Sequence, residues 1–248
     1  MICYTKKQSC LLLLCGLYLG TGLSWGHADA LRQDISAIRI QAKSRHIDQG
    51  VVRLSGRPVA EVGGRFLWQR LAFDWEWLTG IGASYDESLF GGAYVLNARD
   101  AFLAPVLLQV GGRRRGYMGE AERESRWEAW GRLDWLVTRF LGLEVEGYHG
   151  VNRARTGFGT IGLYFPLDTG RGIVVTPRVA LGLDFGDVSG RRRLQENNTE
   201  FAVEFSAPLS QLLSYTAEVR HSDGVVDRET GARVPARTLA SIGLVATF

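Results

Sequence analysis

Cysteine is confined to the start of this chain, since Cys3, Cys10 and Cys15 are its only three cysteines among 248 residues. Beyond them, no thiol is present to form a disulfide, a thiolate metal site or a cysteine nucleophile. Lysine is nearly absent as well, because Lys43 is the only one after Lys7. The formal net charge is only +3. So small a surplus gives no reason to expect a nucleic-acid partner.

Long apolar runs are also missing. Because each helical membrane span needs about 20 consecutive apolar residues, the sequence does not indicate a helical membrane protein. The one candidate, Cys10–Gly20, is too short. It follows two lysines and precedes a small-residue site, Ala28-Asp29-Ala30, and these are the three parts of a secretory signal peptide. We therefore expect a signal peptide at residues 1–30 and one mature domain at residues 31–248.

What the mature part has in abundance is alternation with a period of two residues. At the end of the chain, apolar side chains occupy every second position from Ala240 to Phe248, while the positions between them are mostly small or polar. The same alternation covers residues 126–137, 140–149, 157–166, 172–185, 199–207 and 212–221. Successive side chains of a strand point to opposite faces. Several segments have about 9–11 residues, the length that a tilted strand needs to cross hydrocarbon.

The second face of these segments carries charges of both signs: Glu128, Arg132, Asp134, Glu144, Glu146, Arg178, Asp184, Glu200, Glu204, Glu218 and Arg220. Burying them in a dry core would require a partner for every one. The pattern instead predicts an all-β fold, a closed antiparallel transmembrane β-barrel with its charges in the lumen. We expect about twelve strands, with ten as the alternative, because a single-chain bacterial barrel has an even number.

The first third of the mature part alternates less regularly. Strands are predicted near residues 63–75, 77–85, 89–96 and 101–110, and one more within 35–56. The last interval holds either a strand alone or a strand with a segment that plugs the lumen.

The predicted connections differ in length. Short ones lie near residues 138–139, 166–170 and 207–211, and long ones cover residues 112–125, 150–157, 186–198 and 222–236. Short periplasmic turns and long outer loops are typical of outer-membrane barrels. Both termini are then expected on the periplasmic side.

The ending Ala240-Ser-Ile-Gly-Leu-Val-Ala-Thr-Phe248 resembles that of Gram-negative outer-membrane β-barrel proteins. In that class, positions such as Ile242, Leu244, Ala246 and Phe248 form the signal read by the barrel-assembly machinery. The resemblance implies a location in the cell outer membrane, with that machinery, membrane lipids and lipopolysaccharide as partners. It identifies no subfamily, since the size is similar to autotransporter-type barrels, to solitary barrels and to twelve-stranded lipid-modifying enzymes.

Two arginine triplets are predicted to lie in outer loops, at the height of lipopolysaccharide phosphates. They are Arg113, Arg114 and Arg115, and Arg191, Arg192 and Arg193. Because guanidinium groups bind anionic oxygens in a bidentate manner, we expect these residues to contact lipopolysaccharide.

The favoured function is non-enzymatic: a porin-like passive pore, or a structural or surface-interaction barrel. The alternative is an outer-membrane hydrolase acting on lipid A or phospholipid, with His221 and Ser222 as a weak base and nucleophile pair. Adjacent strand residues point to opposite faces, which argues against that pair. No cofactor is expected, because the glycine pairs near residues 80–82 and 91–92 precede no helix. No metal is expected either, since the histidines lack ligand spacing.

Overall fold

A computed structural model describes residues 36–48, 51–54, 57–97, 106–118, 123–151, 156–169, 172–186, 194–224 and 236–248. Within these ranges, no helix has the length and apolar character that a membrane span requires. The signal peptide expected at residues 1–30 lies outside them and stays a prediction.

Fifteen β-strands make up the described chain. In order they are β1 (Ala37–Lys43), β2 (His46–Asp48), β3 (Val51–Leu54), β4 (Val59–Trp68), β5 (Leu71–Gly80), β6 (Asp86–Asn97), β7 (Val106–Met118), β8 (Arg123–Thr138), β9 (Leu141–Gly150), β10 (Gly157–Tyr164), β11 (Leu167–Asp168), β12 (Val174–Asp184), β13 (Gln195–Pro208), β14 (Leu213–Gly224) and β15 (Arg237–Thr247).

Twelve of these strands form one closed antiparallel ring. Its order is β1-β4-β5-β6-β7-β8-β9-β10-β12-β13-β14-β15, and the ring closes because β15 pairs with β1 and β10 pairs with β12. The short hairpin of β2 and β3 forms a separate sheet, and β11 adds two residues beside β12. Closure leaves the ring no unpaired strand edge, which is what hydrocarbon requires of a sheet. The predicted barrel and its count of twelve strands are confirmed.

Alternation places apolar side chains outside and polar ones inside. On the outer face, Ile40 is 62% exposed and Ile242 is 56% exposed, although both are large and apolar. On the inner face, the carboxylates of Asp134 and Asp184 are fully buried. The faces predicted for residues 126–137, 140–149, 172–185, 199–207 and 240–248 agree with the structure. The barrel is therefore apolar outside and charged inside, the reverse of a soluble globular domain.

Three predicted boundaries were wrong. The strand expected at residues 77–85 is not a separate strand, because β5 continues to Gly80 and the turn that follows it ends where β6 begins, at Asp86. The strand expected at residues 63–75 is a hairpin, because β4 and β5 are joined by a turn at Gln69 and Arg70, and Gln69 adopts a positive φ of 54°. A two-residue turn interrupts the alternation too briefly for the pattern to reveal it. The long loop expected at residues 112–125 is also wrong, since β7 continues to Met118 and β8 begins at Arg123.

Replacing Ile242 with arginine tests which surface meets lipid. Ile242 lies near the middle of β15 on the outer face, where a charge costs about 2–4 kcal/mol in an outer-membrane barrel. We expect the free energy of unfolding in lipid vesicles to fall by that amount. The matched control is Thr238→Arg. Thr238 lies on the same face of β15 but near its outward end, where the free-energy cost of a charge falls to about 0–1 kcal/mol. Equal losses at the two positions would contradict the proposed placement in the bilayer.

Candidate functional site

The candidate site is the lumen, where ion pairs link neighbouring strands. On β1 and β4, the carboxylate of Glu61 contacts both Arg39 and Lys43. One strand further, Arg65 Nε lies 2.6 Å from Asp74 Oδ1. These pairs follow from the antiparallel register, which sets inward-facing residues of opposite charge beside one another.

Glu128 on β8 is the most densely paired carboxylate of the described lumen. Its oxygens lie 2.6 Å from Arg113 Nε, 2.5 Å from Arg126 Nε and 3.8 Å from Arg115 Nε. The three guanidinium groups also surround the ring of Tyr148, at 4.9–5.7 Å from its centroid. Since the Glu128 side chain has no solvent exposure, this cluster is held together without help from bulk water.

A second cluster bridges strands that are not neighbours. Arg178 on β12 contacts Glu144 on β9 across β10. The crossing is possible because Gly162, the β10 residue in register with Glu144, has no side chain to fill the space. Arg220 continues the cluster on β14, with Nη2 at 2.8 Å from Glu218 Oε1.

A cavity of about 330 Å³ lies among these clusters. Its lining comes from opposite sides of the ring, including Lys43 on β1, Glu76 on β5, Glu146 on β9 and Arg220 on β14. Charged groups therefore border an open space inside the barrel. A polar-lined lumen of this kind suits water and hydrophilic solutes.

The outward mouth of the lumen is narrowed by the first outward connection. His46, at the start of β2, reaches past β4 and β5 so that its Nε2 lies 2.7 Å from Glu87 Oε2 on β6. The hydroxyl of Tyr85 donates to the same oxygen at 3.2 Å. Part of the interval 35–56 thus extends over the mouth, while β1 itself is a wall strand.

On β4 to β7, the lumen wall next to the termini is apolar. Ala72, Val95 and Leu107 form a buried cluster there, and Leu67 packs against it. These residues face inward on β4 to β7, so the charged belt gives way to an apolar wall on this side.

The pair proposed for hydrolysis is not assembled. His221 lies on the outer face, where its Nδ1 is 2.9 Å from Thr238 Oγ1, whereas Ser222 is buried on the inner face and accepts from Asn198 Nδ2 at 3.0 Å. Because the barrel wall separates the two side chains, the imidazole cannot serve as base for this hydroxyl. The part of the chain that is described contains no group of three His, Cys, Asp or Glu side chains that could hold a metal ion.

The arginine triplet at residues 113–115 lies in β7, not in a loop. Arg113 and Arg115 are buried in the lumen with Glu128, while Arg114 faces outward and donates from Nε to Ser125 Oγ at 2.9 Å. The prediction was wrong because three consecutive charged residues are typical of a solvated loop. On a strand, the same residues point alternately to the inner and the outer face. The second triplet, Arg191 to Arg193, lies outside the described residues. Contact with lipopolysaccharide stays a prediction, and at the first triplet only Arg114 is placed for it.

Exchanging Arg114 for glutamine is expected to reduce the lipopolysaccharide that copurifies with the protein. Arg114 lies near the outward end of β7 beside Trp77, at an outer surface pocket, where a guanidinium can bind phosphate. The matched control is Arg139→Gln, an exposed arginine at the opposite end of the barrel. Equal lipopolysaccharide content in both variants and the parent protein would refute the contact.

The residues expected to form the assembly signal share the outer face of β15. Ile242 and Leu244 are exposed there, and the amide of Phe248 donates to the Ser36 carbonyl at 3.0 Å. The outer face of β15 is therefore apolar, and β15 pairs with β1 where the ring closes. Reading of this pattern, with Ala246, by the barrel-assembly machinery stays a prediction.

Comparisons with known proteins agree with this geometry. No family model matches the sequence, and no curated protein matches it. Among solved structures, a KdgM porin in complex with disordered oligogalacturonate is similar, with a TM-score of 0.57 and 9% identity over 86% of this chain and 99% of that one. A NanC porin structure is similar with a TM-score of 0.59 and 13% identity over 85% of this chain and all of the other.

The chain is an outer-membrane β-barrel. Identities this low establish the fold alone, but an apolar outer face on a closed twelve-stranded ring fits the bilayer independently of them. The barrel class predicted from the C-terminal segment is confirmed by the closed ring and its shared fold. A closed ring with an apolar outer face agrees with the expected outer-membrane location. An autotransporter-like subfamily remains untested.

Several lumen residues of the barrel were missed in the sequence. Trp130, Tyr148 and Tyr164 face inward, although the sequence analysis predicted the polar lumen from charged residues alone. Strand parity alone indicates this placement, since Trp130 lies two residues from Glu128 and Tyr148 lies two residues from Glu146. The contact of His46 with Glu87 had no such signal, because it joins residues 41 positions apart through the closure of the ring.

Proposed function

We propose that the barrel is a passive pore for small hydrophilic solutes. The observation that carries this proposal is the cavity of about 330 Å³ inside a closed wall, bordered by charged side chains from opposite sides. A barrel with only a structural role would gain nothing from buried charges, because an apolar filling of the same volume is often as stable or more stable. Charges that border an open space instead keep it wet.

Twelve strands also suit this function. Barrels of about eight strands have interiors just wide enough for their own side chains, whereas those of sixteen or more leave a wide channel. A ring of twelve lies between these sizes, which favours a narrow pore over an open one. The apolar wall formed by Leu107 and its neighbours adds a surface that slows polar solutes.

The proposal does not extend to the oligogalacturonate of the KdgM complex. Only the fold is shared with that porin, at 9% identity, and fold alone does not carry the lumen side chains that choose a solute.

Planar bilayer recording tests the pore directly. Purified full-length barrel is expected to produce stepwise current increases on insertion, each from one unit. Leu107→Ser, which replaces an apolar lumen side chain with a small polar one, is expected to raise the step size. Its matched control is Leu108→Ser, the next residue of β7, which faces outward. Inserted, correctly folded barrel that passes no current would refute the pore and leave a structural or surface-interaction role.

A further inference from the structure

The hairpin of β2 and β3 lies off the barrel wall, within the connection between β1 and β4. Those two strands are neighbours in the ring, so a short turn would suffice to join them, yet residues 44–58 separate them. Both ends of this connection are fixed to the wall. The Ser44 amide donates to the Ala240 carbonyl at 2.8 Å, and the Ile81 amide donates to the Pro58 carbonyl at 2.9 Å. The hairpin is therefore an additional element between two attached ends.

One side chain at the start of the hairpin reaches a distant part of the wall. His46 Nε2 lies 2.7 Å from Glu87 Oε2 on β6, and both residues are buried. Since neighbouring strands lie about 4.8 Å apart, β1 and β6 are separated by about 14 Å along the wall. The imidazole also packs against the ring of Tyr85, with the two centroids 5.8 Å apart. His46 therefore holds the start of the hairpin across the inner side of β4 and β5.

Glu87 has further partners that do not belong to the hairpin. The Tyr85 hydroxyl donates to Oε2 at 3.2 Å, and Arg115 Nη1 on β7 lies 3.4 Å from Oε1. These two contacts hold the carboxylate in place independently of His46. A change in the charge of His46 therefore alters the attachment of the hairpin and leaves Glu87 bound to the wall.

Charged groups of both signs surround the imidazole. Glu61 on β4 lies close enough to His46 for their charges to interact, and Glu61 is itself paired with cationic groups of β1. Histidine is the side chain that ordinarily changes charge between about pH 5 and 8, so His46 is the group expected to respond in that range. The charged and titratable side chains near it include Glu61, Glu76, Glu87, Arg39, Lys43, Tyr85 and Arg115, with Arg45 as its neighbour in the chain.

Protonation strengthens the contact between His46 and Glu87. Both nitrogens of an imidazolium carry hydrogen, so Nε2 then donates to the carboxylate and the bond joins opposite charges. Such a bond is about twice as strong as one between neutral groups. A neutral imidazole has a single N–H and contributes no charge. The attachment is therefore strongest in acid and weakens as the pH rises through the range in which histidine loses its proton.

We propose that His46 and Glu87 form a pH-dependent latch. In acid the latch holds the hairpin of β2 and β3 across the outward mouth of the lumen, and in mildly alkaline solution its release widens the mouth. The barrel then conducts less in acid. This inference rests on the proposed pore function, because the current reports the state of the mouth.

The test is planar bilayer recording of the full-length barrel at about pH 5.5 and about pH 8, near the two ends of the range in which histidine titrates. For the parent protein, the ratio of time at reduced current to time at full current is expected to be about fivefold higher at the lower pH, because a hydrogen bond to a charged group is the stronger one. His46→Gln carries no charge at either pH and is expected to show the parent's high-pH current at both. His46→Arg is charged at both and is expected to show the parent's low-pH current at both.

The matched control is His149→Gln, which removes an exposed imidazole from the outer face of β9; it is expected to keep the pH response of the parent protein. Each variant is checked for folding by its heat-dependent migration on gels. A parent current that does not change with pH, or an unchanged pH response in His46→Gln, would overturn the latch while the pore itself stands. Folded barrel without current at either pH would overturn the pore, and the latch with it.

Discussion

Glu128→Gln is expected to lower the free energy of unfolding by about 3–5 kcal/mol, the usual cost of removing one partner from a buried ion pair. Glutamine fills the same space, so the loss reports charge and not packing. Three guanidinium groups, those of Arg113, Arg115 and Arg126, would then meet beside one another without their shared carboxylate. Urea unfolding in lipid vesicles, followed by tryptophan fluorescence, measures the change.

Two further variants make this prediction specific. Glu200→Gln is the control, because Glu200 is partly exposed and lies 3.9 Å from Arg178 and 3.7 Å from Arg220. We expect this variant to lose clearly less free energy of unfolding than Glu128→Gln. Adding Arg126→Gln to Glu128→Gln removes one of the stranded cations and is expected to restore part of the loss, as a double-mutant cycle shows for coupled residues. Equal losses of unfolding free energy in the two variants would show that the cluster around Glu128 stabilises the barrel no more than the pairs of Glu200 do.

Gly142→Val is expected to prevent proper folding of the β9–β10 hairpin. Tyr164 is in register with Gly142, and its buried ring lies directly on the glycine, in the space that a Cβ would occupy. Overfilling a packed interior costs about 1–3 kcal/mol and occasionally more, and here the ring has no room to move outward through the wall. We expect little folded barrel on heat-modifiability gels.

Gly147→Ala serves as the control on the same strand. A Cβ at Gly147 meets its nearest atom, the Phe158 carbonyl oxygen, at 3.7 Å, an ordinary van der Waals distance. That variant should fold like the parent protein. Gly142→Val combined with Tyr164→Ala removes the ring and should recover folded barrel; failure of this rescue would mean that Gly142 is needed for another reason.

Local alternation was sufficient to predict the class of fold. On β12, for example, Val179 and Leu181 alternate with Arg178 and Ala180, and this pattern already assigns the lipid face. The prediction failed where the signal was interrupted or ambiguous. The tight turn at Gln69 was too short to interrupt the alternation, so the hairpin of β4 and β5 was predicted as one strand. The three consecutive arginines in β7 were predicted to form a loop.

The chemistry of the lumen was only partly predictable. The inward positions of Glu128, Glu144 and Arg178 follow from parity, but their partners do not. Arg178 contacts Glu144 because Gly162 of β10 lies between them and has no side chain. The local sequence pattern does not indicate that β9 and β12 both pair with β10, so this contact could not be predicted. Likewise, the surface position expected for Arg113 and Arg115 was wrong, since a charge run carries no information about which face each residue takes.

The sequence by itself determined that this chain forms a transmembrane sheet with one apolar face, because alternation is a property of consecutive residues. Only the tertiary structure decided which charges meet around Glu128 and that Arg178 reaches Glu144 across β10. Those contacts depend on strand register and on the pairing of β15 with β1. Register is a relation between distant segments, so its consequences for the lumen appear only when the ring is closed.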